Sequence, residues 1–192
     1  NYDGELYPYY FEGCCDSAWY KYGVDCASLE DEFYWDCSGC TCPGDFPKWS
    51  GISINNPLGE TVFDYVRISR AYRVLFGDNS IMHIFNSDPI LTHMTFSHNT
   101  SIGAVLISIR YSNMFMKHIK LNNNYYAGGI SIGDSDFIIS NVEINNNIGS
   151  GIGVGSSYGI LDSIYIRDNQ GRAISIGSSN PTLTNILISG NQ

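Results

Sequence analysis

The sequence predicts an all-β fold, a right-handed parallel β-helix preceded by a small disulfide-rich cap. Each coil of the β-helix is expected to contain about 22–25 residues and three short strands. Three observations predict it. Apolar-x-apolar pairs recur at a nearly constant interval, asparagines recur at the same interval, and all six cysteines fall in one short N-terminal segment. We therefore expect two domains, an acidic Cys- and Tyr-rich head over residues 1–48 and the β-helix over residues 49–192.

Three series of apolar residues predict the core. In each, inward and outward positions alternate, which is the period of a β-strand. Stacked coils, about 4.8 Å apart, would bury the inward residues against one another. The series are Met94/Phe96, Ile119/Leu121, Val142/Ile144, Ile164/Ile166 and Ile186/Ile188, at sequence steps of 25, 23, 22 and 22; Val105/Ile107, Ile130/Ile132, Ile152/Val154 and Ile174/Ile176, at steps of 25, 22 and 22; and Leu91, Met116, Ile139, Leu161 and Leu183, at steps of 25, 23, 22 and 22. The step from Val66/Ile68 to Met94/Phe96 is 28, so the first coils, from about Trp49, are expected to be longer.

Two sets of turn residues share this period. In a stack of coils each asparagine amide would bond its neighbours, and asparagine tolerates the left-handed backbone of a tight corner. The glycines follow the third strand, where we expect a sharp bend with positive φ. The two sets are Asn99, Asn124, Asn147, Asn169 and Asn191, and Gly133, Gly155 and Gly177.

Two segments carry a family resemblance. Pro181-Thr-Leu-Thr-Asn-Ile-Leu-Ile-Ser-Gly-Asn191 and Phe137-Ile-Ile-Ser-Asn-Val-Glu-Ile-Asn-Asn-Asn147 resemble the repeats of right-handed parallel β-helix proteins. That superfamily includes pectate-lyase-like enzymes, phage tailspikes, and bacterial and algal surface proteins. The resemblance covers about residues 49–192 and implies the fold, whereas its motifs specify no activity.

The cysteines predict three disulfides in an oxidising compartment, with the pairing left open. They are Cys14, Cys15, Cys26, Cys37, Cys40 and Cys42. The alternative interpretation, half of a zinc site at Cys37-Ser-Gly-Cys40-Thr-Cys42, lacks a second pair of ligands nearby.

A short helix is expected over Asp25–Trp35, with Asp25 as its N-cap and Leu29 and Phe33 at i, i+4 spacing. The segment from Cys26 to Cys40 is similar to a short Cys-rich element in secreted proteins of algae and related protists. A disulfide-bonded knot of this kind before the first coil would cover the end of the solenoid.

The net charge of −9 is concentrated in the head. Residues 1–48 include ten acidic and two basic residues, and residues 49–192 include nine acidic and eight basic residues. Nucleic acids and anionic membranes are bound by basic surfaces, so we expect neither partner. The chain begins at Asn1 rather than Met, which we interpret as the removal of a leader peptide. Together with the cysteines, these features predict an extracellular or cell-surface protein.

The outward positions of the predicted strands do not gather the side chains of a catalytic site. Glycoside hydrolysis needs paired carboxylates, and the adjacent Asp134 and Asp136 would make a poor calcium site. His93 and His118 occupy equivalent positions, where they could stack or bind a metal, and stacking is the simpler interpretation. We therefore predict no enzymatic activity, no cofactor and no metal. The outward residues are Thr92, Lys117, Ser140, Asp162 and Thr184 on the first strand, Thr95, Lys120, Glu143, Tyr165 and Leu187 on the second, and Leu106, Ser131, Gly153 and Ser175 on the third.

Asn99-Thr100-Ser101 is an acceptor sequence for N-glycosylation. It coincides with the first position of the asparagine ladder. An Asn99 that points into the stack cannot carry a glycan, whereas an Asn99 that caps the ladder can; Asn99 is therefore a candidate glycosylation site, and the sequence leaves both arrangements open.

The chain stops at Asn191-Gln192 after the second strand of a coil, which would leave strand edges and the apolar lumen at Ile186 and Ile188 uncovered. Further coils of a longer chain would cover them. Alternatively another copy covers them head to tail, with Tyr2, Tyr7, Tyr9 and Tyr10 docking on the neighbour. We predict the latter: a homo-oligomeric extracellular structural protein, the subunit of a fibre or surface appendage. The alternatives are a carbohydrate-binding or polysaccharide-cleaving β-helix and an adhesin fragment.

Overall fold

The computed structural model describes Cys15, Ala18 and residues 26–37, 49–73 and 80–192. By their contacts, the residues of the chain form two compact units, Asn1–Lys48 and Trp49–Gln192.

The first unit contains a disulfide and a short helix. Cys15 and Cys37 are joined with a Cα–Cα distance of 5.6 Å, and Cys26 is also disulfide-bonded. Helix α1 spans Cys26–Phe33, within the predicted segment, and buries Leu29 while Phe33 is 50% exposed. The backbone N–H of Trp35 donates to the Leu29 carbonyl at 2.9 Å just beyond the helix. The predicted N-cap Asp25 and the cysteines Cys14, Cys40 and Cys42 lie outside the described residues.

The second unit is a parallel β-solenoid of about five turns, and the predicted fold class is confirmed. Its strands are β1 (Ile52–Asn55), β2 (Val62–Asp64), β3 (Arg67–Ser69), β4 (Tyr72–Arg73), β5 (Ser80–Phe85), β6 (Ile90–Thr92), β7 (Thr95–Ser97), β8 (Thr100–Arg110), β9 (Asn113–Asn122), β10 (Tyr125–Gly133), β11 (Asp136–Asn145), β12 (Ile152–Gly155), β13 (Tyr158–Arg167), β14 (Ile174–Gly177) and β15 (Thr182–Ser189).

These strands form two parallel sheets. Sheet 1 stacks β1, β5, β8, β10, β12 and β14 in that order, with β4 beside β8. Sheet 2 stacks β2, β6, β9, β11, β13 and β15, and β3 and β7 belong to it. In β9, β11, β13 and β15 the predicted first and second strands run on as one strand with a bend, whereas in earlier turns they are separate.

The core is built from the predicted apolar series. Leu91, Met116, Ile139 and Leu161 are aligned across sheet 2 and are 0% exposed. The pairs from Met94/Phe96 to Ile164/Ile166 are equally buried. Alternating burial in β9 and β11 is what the two-residue period requires.

One predicted register is wrong. The third-strand series aligned Val105/Ile107 with Ile130/Ile132, but Ile107 pairs with Ile130 and Ile109 with Ile132. Val105 pairs instead with Gly128, and β8 and β10 pair with an irregularity between Tyr125 and Ala127. Leu106, predicted to point outward, is 0% exposed. Because β8 contains a long run of apolar residues, two registers fit its sequence, and the neighbouring strand decides between them.

The described turns have three corners each, and each corner is made by a single left-handed residue. The bend within sheet 2 uses Tyr65, His93, His118, Asn141, Ser163 and Asn185. The corner after sheet 2 uses Arg70, His98, Asn123, Asn146, Asp168 and Gly190. The corner after sheet 1 uses Asn56, Asn86, Tyr111, Asp134, Ser156 and Ser178.

These columns correct two expectations. The residue with positive φ is the one before each ladder asparagine, for example Asn146 (φ 54) before Asn147. Gly133, Gly155 and Gly177 form the predicted column, yet their φ values are not positive, and the following Asp134, Ser156 and Ser178 make the corner. Asparagine, aspartate, serine and histidine all tolerate this conformation better than branched residues do.

The asparagine ladder has the predicted hydrogen bonds. The side-chain Nδ2 of each donates to Oδ1 of the next: Asn99 to Asn124 at 3.0 Å, Asn124 to Asn147 at 2.9 Å, Asn147 to Asn169 at 3.0 Å and Asn169 to Asn191 at 2.9 Å. Each Oδ1 also accepts the backbone N–H of the preceding turn, and the first, Asn99 Oδ1, accepts that of Ala71 at 2.9 Å.

A serine ladder, which the sequence analysis missed, stabilises the corner after sheet 1. From the second serine on, each Oγ accepts the backbone N–H of the serine one turn earlier, at 3.0–3.2 Å. All five hydroxyls donate to the carbonyl two residues before their own serine. The column is Ser87, Ser112, Ser135, Ser157 and Ser179. Two of the three corners are thus lined inside by polar side chains that leave few backbone groups unpaired.

Candidate functional site on the outer face of sheet 2

Five strands of sheet 2, β2, β6, β9, β11 and β13, together present an exposed row of apolar side chains. We call it the apolar stripe: Val62, Ile90, Phe115, Ile138 and Ile160. Val62 is 54% exposed, Ile138 50% and Ile160 42%. A row of aliphatic and aromatic side chains on a flat sheet is the kind of surface that contacts another molecule.

Two polar columns flank the apolar stripe, each two residues away along the strands. The preceding column is Asp88, Asn113, Asp136 and Tyr158. The following column is Asp64, Thr92, Lys117, Ser140, Asp162 and Thr184. The preceding column thus offers carboxylate, amide and phenol groups, and the following column offers carboxylate, hydroxyl and ammonium groups.

The bend beside the following column contains a stack of three rings. Tyr65 lies on His93 with ring centroids 4.5 Å apart, and His93 lies on His118 at 4.8 Å. The predicted stacking of the two histidines at equivalent corner positions is confirmed. It follows from the corner geometry, because equivalent residues of successive turns lie one strand spacing apart.

Asp64 holds one end of this stack. Its Oδ1 accepts the Thr92 hydroxyl at 2.6 Å and Nδ1–H of His93 at 2.9 Å. The hydrogen bond from Thr92, followed by that from His93, lowers the pKa of Asp64 below its ordinary value. Desolvation, followed by the charges of His93 and Lys117, lowers the pKa of His118.

Asp162 repeats the arrangement four turns later along the same column. Its Oδ1 accepts the Thr184 hydroxyl at 2.6 Å and the Asn185 amide at 2.8 Å. These hydrogen bonds, in that order, lower the pKa of Asp162. The same motif of aspartate, threonine and corner residue occurs at both positions. In both, the aspartate accepts hydrogen bonds from the next turn, so the motif stabilises the contact between neighbouring turns.

The other charged residues are dispersed. Lys120 Nζ lies 3.7 Å from Glu143 Oε1 on the second half of the strands, as the predicted outward column implies. Asp134 is a corner residue and Asp136 belongs to the preceding column, so the two carboxylates have different surroundings. Within the described ranges no group of three His, Cys, Asp or Glu side chains is arranged to hold a metal ion.

Asn99 corrects the prediction of glycosylation. It is 0% exposed, and its Nδ2 donates to the Ile68 carbonyl and to Asn124 Oδ1, both at 3.0 Å. A glycan on this nitrogen would remove a hydrogen bond and has no room inside the ladder, so the folded solenoid does not accommodate it.

The predicted assembly residues are only partly described. Tyr2, Tyr7, Tyr9 and Tyr10 lie outside the described residues. In β15, Ile186 is half-buried and Ile188 is 49% exposed, whereas the residues aligned with them, Ile164 and Ile166, are 0% exposed.

Sheet 1 carries a shallow groove with a volume of about 560 Å³. Three glycines and three serines line it together with Arg172: Gly129, Gly151, Gly153, Ser131, Ser150 and Ser175. Arg172 Nη1 lies 3.5 Å from Ser175 Oγ.

The apolar stripe had a signal that the sequence analysis missed. Ile90, Phe115, Ile138 and Ile160 follow the core period, at sequence steps of 25, 23 and 22. Each of the four lies two residues before one of the outward residues predicted for the first strand, which are Thr92, Lys117, Ser140 and Asp162. An apolar residue in a strand is normally assigned to the core, and only the two-residue alternation from Leu91 or Ile139 places these four outside.

No family model, curated protein or solved structure matches the chain. In the part of the chain that the structure describes, no helix is long and apolar enough to cross a membrane. The fold and the face together define a β-solenoid protein with an exposed apolar surface.

Proposed function

We propose that this protein is a structural protein of the cell exterior, a homo-oligomeric subunit of a fibre or surface appendage. The apolar stripe is the observation that carries the proposal, because it is continuous over five strands and belongs to a rigid sheet that is held internally by two ladders. A continuous exposed apolar row on a sheet offers another molecule a surface on which to pack. The Cys15–Cys37 disulfide supports an oxidising, extracellular location.

In the proposed fibre, copies also meet head to tail. The inward side chains of the last strands, Ile176, Leu183 and Ile188, are 39–49% exposed. A further apolar layer in the same register would cover them, and in the fibre that layer belongs to another copy. The resemblance that we inferred from the repeats alone, to surface proteins of the β-helix superfamily, agrees with this proposal.

Electron microscopy and sedimentation of the purified 192-residue protein, with its disulfides intact, test the proposal. We expect fibres or a distribution of oligomers. Ile188→Asp should shorten them, because a carboxylate would be buried in the head-to-tail contact. The matched control is Leu187→Asp, equally exposed at 50% but outward-facing, which should leave fibre length unchanged. Monodisperse monomers without fibres would contradict the proposed function.

The groove on sheet 1 favours a second candidate, binding of an acidic polysaccharide. Three serine hydroxyls and the Arg172 guanidinium are suited to sugar hydroxyls and a carboxylate. Affinity electrophoresis in gels with polyuronate or neutral glucan would test it. Retention by polyuronate that is lost in Arg172→Ala, but kept in the control Arg167→Ala, would support this candidate; equal mobility in all gels would exclude it.

A further inference from the structure

We propose that His93 and His118 together bind one divalent transition-metal ion at the bend of sheet 2, and that they bind copper more tightly than nickel or zinc. Imidazole nitrogen is a ligand that all three ions accept, and the affinity of such sites is generally highest for copper. The pair lies beside the apolar stripe and not in it. The site therefore goes beyond the proposed structural function, and its metal binding does not require fibre formation.

The corner geometry holds the two imidazoles within reach of one ion. His93 and His118 are exposed and occupy equivalent left-handed corners of successive turns, with φ values of 50 and 56. Their ring centroids lie 4.8 Å apart, and the ring planes are 15° from parallel. Stacking and metal binding are thus compatible, because the stack keeps two metal-ligating side chains at one point of the surface.

Binding of one ion by both rings requires a small rearrangement. Metal–nitrogen bonds of about 2.0–2.1 Å place the two nitrogens about 3 Å apart, so one ring must tilt toward the other. Among the described residues, no hydrogen bond restrains the exposed ring of His118. His118 can therefore turn, whereas the ring of His93 is held by Asp64.

Asp64 prepares His93 as a ligand. Its Oδ1 accepts Nδ1–H of His93 at 2.9 Å, which leaves the lone pair of the neutral ring on Nε2. Metal-binding imidazoles commonly donate their other N–H to a carboxylate, which fixes the orientation of the ring and raises its basicity. The Thr92 hydroxyl donates to the same Oδ1 at 2.6 Å and so holds the carboxylate in place.

The surroundings of the pair favour the neutral rings that bind metal. Among the described residues, its charged neighbours are Asp64 and Lys117, whereas the rings are flanked along the column by the neutral Tyr65 and Asn141. Desolvation, followed by the charges of His93 and Lys117, lowers the pKa of His118. This imidazole is therefore unprotonated at neutral pH, and mild acid should release the ion because protons compete for the ring nitrogens.

Water molecules complete the coordination of the ion. The pair supplies two ligands, one fewer than the three protein ligands of a catalytic zinc site. Across the described ranges, no group of three His, Cys, Asp or Glu side chains is arranged around one point. We therefore expect a reversible site, which a chelator empties while the solenoid stays folded.

Isothermal titration calorimetry of the intact chain with copper, nickel and zinc salts near neutral pH tests the site. His93→Asn and His118→Asn should each weaken the binding of the ion by about tenfold or more, because each removes one ligand. Asparagine is the matched replacement, since Asn141 and Asn185 occupy the same corner column with positive φ. Circular dichroism should show the same fold in both variants.

His98→Asn is the control. His98 is also an exposed corner residue, with φ 56, but its column continues with Arg70 and Asn123, so it has no histidine neighbour. The change should alter the affinity by less than about twofold. Equal weakening in His98→Asn, or weakening in only one of the two variants of the pair, would overturn the proposal. Copper held by the amino terminus instead would persist in every variant and would also overturn it.

The role of Asp64 has a separate readout. Asp64→Asn should weaken zinc binding by about tenfold, because it removes the carboxylate that orients His93. Asp88→Asn, an equal change of charge at an exposed residue of the preceding column, should have little effect.

Histidine ring signals in NMR spectra identify the ligands directly. Addition of zinc should shift the ring signals of His93 and His118 together and leave those of His98 in place. A wild-type chain that binds none of the three ions at concentrations up to about 1 mM would overturn the metal site. The proposed structural function would still stand in that case, because it is tested by fibre formation in the absence of metal.

Discussion

Single asparagines connect the turns of the solenoid. Asn147 uses Nδ2 to donate to the Leu121 carbonyl at 2.8 Å and to Asn169 Oδ1 at 3.0 Å. Its Oδ1 accepts from both the backbone and the side chain of Asn124, at 3.0 and 2.9 Å. Only an amide side chain of this length offers two donors and a shared acceptor at one position, so neither Asp nor Ser replaces it.

Asn147→Ala should lower the free energy of unfolding by about 3 kcal/mol or more, because several buried donors and acceptors lose their partner. Urea denaturation monitored by circular dichroism measures this change. The control is Asn180→Ala, at an exposed asparagine, with an expected effect within about 0.5 kcal/mol. Equal losses in the two variants would contradict the stabilising role of the ladder.

The hydrogen bonds to Asp162 predict a pH dependence. They lower its pKa in the folded state, the Thr184 hydroxyl contributing first, below the ordinary 3.8. This contribution to stability is therefore present above the ordinary pKa and is lost as the pH falls through the folded-state pKa. Thr184→Val should raise the pKa of Asp162 toward its ordinary value.

Carboxyl ¹³C NMR titration measures that pKa. Thr182→Val, in the same strand β15 but beside the apolar stripe, is the control and should leave it unchanged. In unfolding experiments, the difference between wild type and Thr184→Val should be largest near neutral pH and vanish in strong acid. A difference that is independent of pH would show that the lost stability is not due to the ionised carboxylate.

The alternation of inward and outward residues determines the strands, whereas the close approach of neighbouring turns requires glycine at particular positions. At Gly151 in the approach to β12, a Cβ would lie 2.2 Å from the Ala173 carbonyl oxygen and 3.0 Å from Ile166 Cγ2. At Gly155, in the same strand-forming segment, it would meet atoms no closer than 3.9 Å. Gly155, which the sequence predicted at a corner, is thus replaceable, whereas Gly151, for which the sequence predicted no role, is required.

Gly151→Ala should destabilise the solenoid by about 2 kcal/mol or more, since backbone must move to relieve the contact. Gly155→Ala should be neutral or stabilising by up to about 1 kcal/mol, because alanine restricts the unfolded chain. Thermal unfolding of the two variants beside the wild type measures both effects. Similar midpoints for the two variants would contradict the proposed close approach.

At the scale of the whole solenoid, each turn contacts the turns before and after it through the same ladders and core columns. Residues 147–168 make one full turn, because Asn147 and Asn169 are equivalent and 22 residues apart. Stability of such a repeat protein is approximately the sum of turn and interface contributions. A missing turn should therefore cost stability without changing the fold.

Deletion of residues 147–168 should leave a folded β-solenoid with a smaller denaturant m-value, because less surface is exposed on unfolding. Deletion of residues 147–157, half a turn, is the control and should prevent folding, since it breaks both ladders and the core columns. Circular dichroism and urea titration compare the two. Failure of the full-turn deletion to fold would contradict the additive description.

The face of sheet 2 shows how far the sequence could predict a site. Thr92, Lys117 and Ser140 were placed on the outside correctly, because outward positions follow from the core residues next to them. Ile138 was not recognised as exposed, because an isoleucine in a strand is compatible with either face. Asn99 was assigned two roles, ladder and glycan, and burial allows only the first.

The sequence by itself determined the period of the solenoid, its sheet 2 core columns and its asparagine ladder, because these depend on alternation and on a repeat that is visible along the chain. The tertiary structure alone decided the pairing of β8 with β10, the left-handed residue of each corner and the exposure of the apolar stripe. Those features depend on which atoms of neighbouring turns come into contact, and residues such as Val105 and Ile107 are equally apolar in either register.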